Sequence, residues 1–278
     1  MRFDIRPCLT IGVFFLLLTF PEPGFSEDNL PTGHEIVLRI NAREEGNSVA
    51  RKVTMELIDS YGKRRIRETF GFRKYFGEEK RAVIFYLAPR DIKGTAFLVY
   101  DYPDAEQEDD QWLYLPALRR VRRISASKRG GYFLGTDFTY DEIKNETNVA
   151  IEDYIYKTLG VEKIDEFKTY LVEAIPLNHE IGKELGYNRV LLWVDAEIWI
   201  IRQSKFWDMQ GKLLKTESFQ EIKPVEGVWT VHRMEAENHK TKHKTRFTFK
   251  DIHYNTSMPD DVFTTRAIQH GFKASLHK

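Results

Sequence analysis

From Val53 to the C-terminal region, apolar and polar residues alternate with a period of two along most of the chain. Such alternation places successive side chains on opposite faces of a β-sheet. It predicts a dozen strands, at residues 53–59, 66–72, 82–87, 95–100, 111–115, 119–125, 169–174, 188–194, 198–206, 213–222, 228–237 and 244–251. Short turn-like links join them, as in antiparallel meanders rather than βαβ units. We therefore expect one continuous sheet that curls to limit its exposed edges.

Few segments have a helical pattern. Thr32 is a predicted N-cap and Glu35 completes a capping box, in a helix that should stop near Gly46. Residues 140–164 are less regular and are expected to be helical in part, and residues 260–269 to form a short helix. The predicted fold class is mainly β, of the α+β type, with a few helices.

The N-terminal residues have the pattern of an export signal. Arg2 and Arg6 precede an uncharged run over residues 7–21. A basic start before a short apolar core is typical of a secretory signal peptide, here expected at residues 1–26. The alternative is an uncleaved membrane anchor, but fifteen uncharged residues are fewer than the ~20 that span a bilayer. Residues 27–278 are then expected to form a single domain, and Cys8 leaves with the leader.

Composition and motifs exclude several classes of protein. The 42 basic and 42 acidic side chains give a formal net charge of zero, which argues against a general nucleic-acid binder. The chain has no Gly-x-Ser-x-Gly elbow, phosphate loop or Gly-x-Gly-x-x-Gly motif. Ser-x-x-Lys matches at Ser60 and Ser125, and the pair His239 and His243, are interpreted as turn structure. We expect a protein that is not an enzyme and has no cofactor and no metal site.

Two charge clusters lie close together in the sequence. An acidic loop covers residues 101–110 and a basic stretch covers residues 119–129. They either compensate each other on neighbouring strands or form a docking patch for a partner or an anionic headgroup. Guanidinium groups bind phosphate and carboxylate bidentately, so the arginines are the better docking candidates. These are Arg119, Arg120, Arg122 and Arg123.

Large apolar side chains recur in phase along the predicted strands. The simplest interpretation is an ordinary sheet core. A large curved sheet with few helices, however, encloses more space than its own side chains easily fill, so the same residues could line a cavity for an apolar ligand. The candidates for this lining are Phe70, Phe72, Ile84, Tyr86, Phe97, Val99, Trp112, Tyr114, Trp199, Ile201, Phe247 and Phe249.

Two long segments carry a family resemblance. DDQWLYLPALRRVRRI at residues 109–124 and GYFLGTDFTYDEI at residues 131–143 resemble the outer membrane lipoprotein-sorting protein family, which is related to the LolA and LolB lipoprotein carriers. MELIDSYG, LAPRDIKGTA and WDMQGKLLK support the resemblance. Leu134 and Thr136 stand where the pattern often has Met and Ser. The similarity covers essentially all of residues 27–278.

The resemblance implies a half-open antiparallel β-barrel with a cavity partly covered by helices. It implies a carrier in the periplasm of a Gram-negative bacterium that binds the acyl chains of a lipoprotein or lipid and shuttles it towards the outer membrane. The implied partners are an inner-membrane lipid exporter of the resistance-nodulation-division (RND) type and an outer-membrane acceptor. One alternative is a non-catalytic periplasmic adaptor that docks on an RND-type transporter and uses the apolar face only as a core. An exported hydrolase acting through Ser125 or Lys128 is a third hypothesis.

Overall fold

The computed structural model describes residues 30–104 and 107–272. The predicted signal peptide at residues 1–26 lies outside the described residues. From Pro31 onward, the described residues belong to one compact unit. Within the described ranges, no helix combines the length and apolar character that a bilayer span requires.

The core of the fold is a sheet of thirteen strands. Their order across the sheet is β6-β5-β4-β3-β2-β1-β13-β12-β11-β10-β9-β8-β7, and each neighbouring pair is antiparallel. The strands are β1 Ser48–Ile58, β2 Arg64–Phe76, β3 Glu79–Ala88, β4 Ala96–Asp101, β5 Asp110–Leu115, β6 Arg120–Ile124, β7 Tyr154–Ile164, β8 Phe167–Pro176, β9 Arg189–Asp195, β10 Ile201–Trp207, β11 Leu213–Val225, β12 Val228–Asn238 and β13 Lys244–Tyr254. In the part of the chain that the structure describes, β6 and β7 do not pair with each other, so the barrel is half-open. The predicted fold class is confirmed.

Within the described residues, four short α-helices accompany the sheet. They are α1 Gly33–Asn41, α2 Tyr140–Asn145, α3 His179–Leu185 and α4 Thr265–His270. The capping box of Thr32 and Glu35 is confirmed, although α1 ends at Asn41 rather than near Gly46. Gly33 lets α1 begin against the sheet, because a Cβ there would lie 2.5 Å from the backbone nitrogen of Lys157 in β7.

The helical expectation for residues 140–164 is wrong over most of that range. Only Tyr140–Asn145 is α-helical, and Tyr154–Ile164 is the edge strand β7. On this strand Tyr154 and Tyr156 pack against the core, while Ile155 and Leu159 are exposed. Apolar residues therefore occupy both faces and hide the period of two from which a strand is predicted.

Part of the sheet is buried on both faces. The inner face packs against α1 and the segment after β6, through residues such as Ile36, Phe133 and Phe138. On the outer face, residues 258–272 cover β2–β5 and bury Val262 and Phe263. Successive residues of one strand thus enter two separate apolar clusters.

Candidate functional site

A cavity lies between the inner face of the sheet and residues 133–150, which include α2 and which we call the lid. It measures about 1080 Å³, part of it open to solvent. Its apolar lining includes Val49, Val53, Met55, Ile84, Phe97, Val99, Val231, Met234, Phe247 and Phe249.

Gly71 of β2 lies in the wall of this cavity. It is paired with Ile84 of β3. A Cβ at Gly71 would meet only the carbonyl oxygen of Val83, at 3.8 Å, which is an ordinary van der Waals distance. The glycine therefore leaves space that a larger side chain would occupy without a backbone clash.

A second cavity of about 700 Å³ lies on the other side of the lid, over β8–β12. It shares Glu142, Glu146 and Met234 with the first cavity, so the two adjoin at α2. Its apolar lining is Phe138, Val149, Ala150, Tyr154, Tyr156, Ala174, Leu185, Tyr187, Val190, Leu192, Ile201, Phe206, Phe219 and Met234. Together the two linings extend from β4 to β7.

Three side chains attach the end of the lid to α1 and β1. Asn41 donates from Nδ2 to the carbonyl oxygen of Val149 at 2.9 Å and accepts from its backbone N–H at 3.0 Å. Arg43 donates to the carbonyl oxygen and hydroxyl of Thr147. Arg51 forms an ion pair with Glu146. These contacts at the end of the lid are polar, whereas Phe133 and Phe138 at its beginning are buried in the core.

A buried ionic cluster attaches the middle of the lid to the sheet. Lys215 of β11 is fully buried, and its Nζ lies 2.5 Å from Glu142 of the lid and 2.8 Å from Glu217. Tyr187 donates to Glu142 at 2.7 Å. The Lys215 ammonium also lies 4.5 Å from the ring centroid of Phe206. One ammonium therefore compensates two carboxylates in a desolvated site.

The charge imbalance raises the pKa of one of these carboxyl groups. Burial, and then the negative charge of Glu142, raise the pKa of Glu217 to about 8, against the lowering effect of Lys215. Glu217 therefore holds its proton at neutral pH. A protonated Glu217 adds no negative charge to the lining of the second cavity.

The comparisons with known proteins agree on the fold and the family. A family model described as that of an uncharacterized protein matches residues 78–270. A solved outer membrane lipoprotein-sorting protein domain from Vibrio parahaemolyticus is 30% identical, with 85% of this chain and 98% of that chain covered and a TM-score of 0.76.

This chain belongs to the outer membrane lipoprotein-sorting protein family. A DUF1329 family protein from Desulfovibrio piger is also similar, at 28% identity and a TM-score of 0.78, covering 85% of this chain and 97% of that chain. A LolA superfamily protein from Nitrosomonas europaea, at 20% identity and a TM-score of 0.64, covers 86% of this chain and 100% of that chain and shares the fold. Among curated proteins, none matches.

Within this family fold, the predicted lining residues are divided between the two faces. The inner cluster contains Ile84, Tyr86, Phe97, Val99, Trp199, Ile201, Phe247 and Phe249. The outer cluster contains Phe70, Phe72, Trp112 and Tyr114, beneath residues 258–272. Of these four, only Phe72 also borders the larger cavity. The alternation of apolar and polar residues correctly grouped residues that share a face. Where a strand is buried on both faces, however, the sequence pattern does not indicate which face is the inner one.

The basic stretch is partly compensated by the acidic loop. Arg123 of β6 lies 2.5 Å from Asp110 of β5. In the pairing of these two strands, Arg123 is opposite Trp112. Lys144 of the lid pairs with Asp109 at 2.5 Å. Arg119, Arg120 and Arg122 are exposed on or beside β6. Mutual compensation therefore accounts for some of these charges, and three arginines remain on the surface.

The remaining motif residues lie in turns. Ser60 is in the turn between β1 and β2, and Ser125 precedes a 3-10 turn that ends at Lys128. His243 binds Asp137 at 2.6 Å, and His239 binds the Thr216 hydroxyl at 2.8 Å. Across the described residues, no group of three or more His, Cys, Asp and Glu side chains is arranged to hold a metal ion.

Several polar residues of the cavities were not predicted. Lys215 and Glu217 share the inward phase of β11 with Phe219, and Arg73 shares the phase of Thr69 and Gly71 on β2. The sequence signal that could have identified them is a charged residue at a strand position whose neighbours two residues away are apolar. Charges in that phase are expected to be buried, and buried charges need partners from elsewhere in the fold.

Proposed function

We propose that this protein is a periplasmic carrier that binds the acyl chains of a lipid or lipoprotein in the two adjoining cavities. The supporting observation is the largely apolar cavity between an unclosed sheet and a lid whose end is held by polar contacts. Transfer of each methylene group from water to an apolar site is favourable by about 0.8 kcal/mol, so an acyl chain needs a shielded path through water. The family and its fold support the same function.

The lid gives the carrier a way to load and release its cargo. Opening requires the loss of the Asn41, Arg43 and Arg51 contacts at the lid's end, while Lys215 acts as an attachment near its middle. Strong binding and release are compatible when a closed lid shields the chain and an open one exposes it. We propose no catalytic residue, because the cavities hold ion pairs engaged with one another rather than a nucleophile and base.

The proposed route begins with removal of residues 1–26 on export and leaves residues 27–278 as the carrier domain. The cargo then moves towards the outer membrane, from an inner-membrane exporter of the RND type to an outer-membrane acceptor. Exposed Arg119, Arg120 and Arg122, together with Arg123, would contact one of these partners. The open space beneath the lid favours this carrier over an adaptor, for which a filled interior would suffice.

Native mass spectrometry of the exported protein tests this proposal. We expect a population with one bound lipid whose mass is lost on delipidation and regained when a lipid extract is added. Displacement of a fluorescent fatty acid by the same extract should follow. A protein that carries no lipid and binds no fatty acid, yet is pulled down with a membrane transporter, would instead be an adaptor.

A further inference from the structure

Three arginines converge at one end of the larger cavity. Arg43 follows α1, Arg51 lies on β1 and Arg73 lies on β2, and all three border the cavity. The rest of its wall is largely aliphatic and aromatic. The cavity therefore has a cationic end and an apolar body.

Arg73 holds an unused hydrogen-bond donor at this end. Its side chain is buried, with 3% of the residue exposed, and its two terminal nitrogens donate to the carbonyl oxygens of Glu45 and Gly46. Its Nε is buried and has no hydrogen-bond partner among the described residues. A buried N–H without a partner is costly, and an acceptor oxygen from a ligand would satisfy it.

The hydrogen-bond partners of Arg43 are neutral groups, although the charge of Glu45 also attracts its guanidinium. Its Nε donates to the carbonyl oxygen of Ile40 and its Nη2 donates to Thr147, and within residues 30–104 and 107–272 no carboxylate lies within ion-pair distance of it. Burial lowers the pKa of its guanidinium, which remains cationic at neutral pH.

The charges at this end do not cancel. Arg51 is paired with Glu146, and Glu45 attracts both Arg73 and Lys80. Lys80 has its own partner in Asp101, at 2.8 Å. Glu142, the third acidic residue of the cavity wall, is paired with Lys215. Three arginines thus face two further carboxylates, Glu45 and Glu146, so among the described residues one positive charge at this end has no counterion of its own.

We propose that this cationic end, through Arg43 and Arg73, binds the anionic headgroup of a phosphate-bearing amphiphile whose acyl chain occupies the apolar body of the cavity. This inference rests on the proposed carrier function and specifies its cargo as an acidic lipid. A phosphate oxygen accepts from Nε of Arg73, and its charge is balanced by Arg43.

The test compares two amphiphiles with the same chain, hexadecyl phosphate and hexadecanol, as competitors of a fluorescent fatty-acid analogue. The wild-type protein should bind the phosphate about tenfold or more tightly than the alcohol, as one charge-assisted hydrogen bond provides. Arg73→Lys, which keeps the charge but removes Nε, should lose most of this preference while binding hexadecanol as before. Arg43→Gln should also lose most of it; because Arg43 contacts Thr147 of the lid, this variant is judged on the ratio of its phosphate and alcohol affinities. Arg65→Gln, at an exposed position on β2, is the matched control and should retain the preference.

The outcomes separate this inference from the carrier proposal. Equal binding of the two amphiphiles by the wild type, or an unchanged preference in both variants, would overturn the headgroup site and leave the carrier intact. If neither amphiphile binds, the carrier proposal itself fails. Inorganic phosphate that competes as well as hexadecyl phosphate would show a site for the free ion and would also overturn the lipid assignment. Thermal melting confirms that each variant is folded.

Discussion

At the scale of single residues, the site depends on a glycine in the cavity wall and on a buried cluster of ionisable side chains. Gly71 leaves space in the wall of the larger cavity where neighbouring positions carry side chains. Lys215, Glu142 and Glu217 place three ionisable groups in a desolvated region next to that space. Each feature has a measurable consequence.

Replacing Gly71 with leucine should block ligand binding while preserving the fold. Its backbone is in an ordinary strand conformation and a Cβ would have only one neighbour, at 3.8 Å, so the leucine side chain extends into the cavity. We expect fatty-acid affinity to fall by about tenfold or more, with unfolding free energy equal to or above that of the wild type. Equilibrium titration with a fluorescent fatty acid measures this. Gln220→Leu, which adds the same side chain at an exposed site on β11, should bind normally.

The Glu217 carboxyl should make stability fall as pH rises. Its pKa is raised from 4.5 to about 8 in the folded protein, so between these values the native state binds a proton that the unfolded chain has released. The free energy of unfolding should therefore decrease with pH across this window, by up to about 1.4 kcal/mol per pH unit. Glu217→Gln mimics the protonated form and should flatten this part of the profile.

Denaturant unfolding at intervals from pH 5 to pH 9 checks this prediction. The variant should equal the wild type near pH 5 and exceed its stability near pH 9. Glu180→Gln, on the exposed face of α3, should follow the wild-type profile. A wild-type profile that rises through this window would show that Glu217 is ionised in the folded protein.

At the scale of elements, the carrier proposal requires the lid to move. Hydrogen bonds and ion pairs hold it to α1, β1 and β11, whereas Phe133 and Phe138 pack on the inner face of the sheet. The Phe138 ring centroid lies 4.8 Å from that of Phe247. Polar contacts of this kind exchange with water more readily than an apolar core does.

Asn41→Ala should loosen the lid without unfolding the sheet. The change removes two hydrogen bonds to the backbone of Val149, which together stabilise the closed lid by about 1–3 kcal/mol. We expect amide exchange in residues 137–150 to accelerate about tenfold while exchange in β1 and β13 stays slow. Asn178→Ala, which removes the N-cap of α3, is the control and should leave lid exchange unchanged. Uniform acceleration through the whole chain would mean that the lid has no independent motion.

The sequence predicts elements well where one face is polar, and poorly where both faces are apolar. The period of two identified most strands because their outward residues are charged, as in β11 and β13. It missed β7, whose exposed face carries Ile155 and Leu159. It also assigned Phe70 and Trp112 to a cavity lining although they belong to the outer cluster. Which face is covered by the C-terminal residues depends on contacts between segments about 190 positions apart in sequence, and local pattern does not encode that.

At the scale of the whole molecule, an unclosed barrel gives both a stable scaffold and an accessible interior. The sheet runs from β6 to β7 through the β1–β13 pair, so the first and last strands join its two halves. The outer cluster under residues 258–272 stabilises one half without using the inner face. The inner face is thereby free to hold a ligand rather than to complete the core.

Photo-cross-linking with a diazirine-bearing fatty acid tests the central claim most directly, because it maps where the acyl chain lies. We predict adducts on inner-face residues such as Met55, Met234 and Phe247, and their loss in Gly71→Leu and after competition with unlabelled fatty acid. Adducts confined to the outer cluster, around Met258 and Phe263, or none above the competed background, would contradict an acyl chain in the cavity beneath the lid.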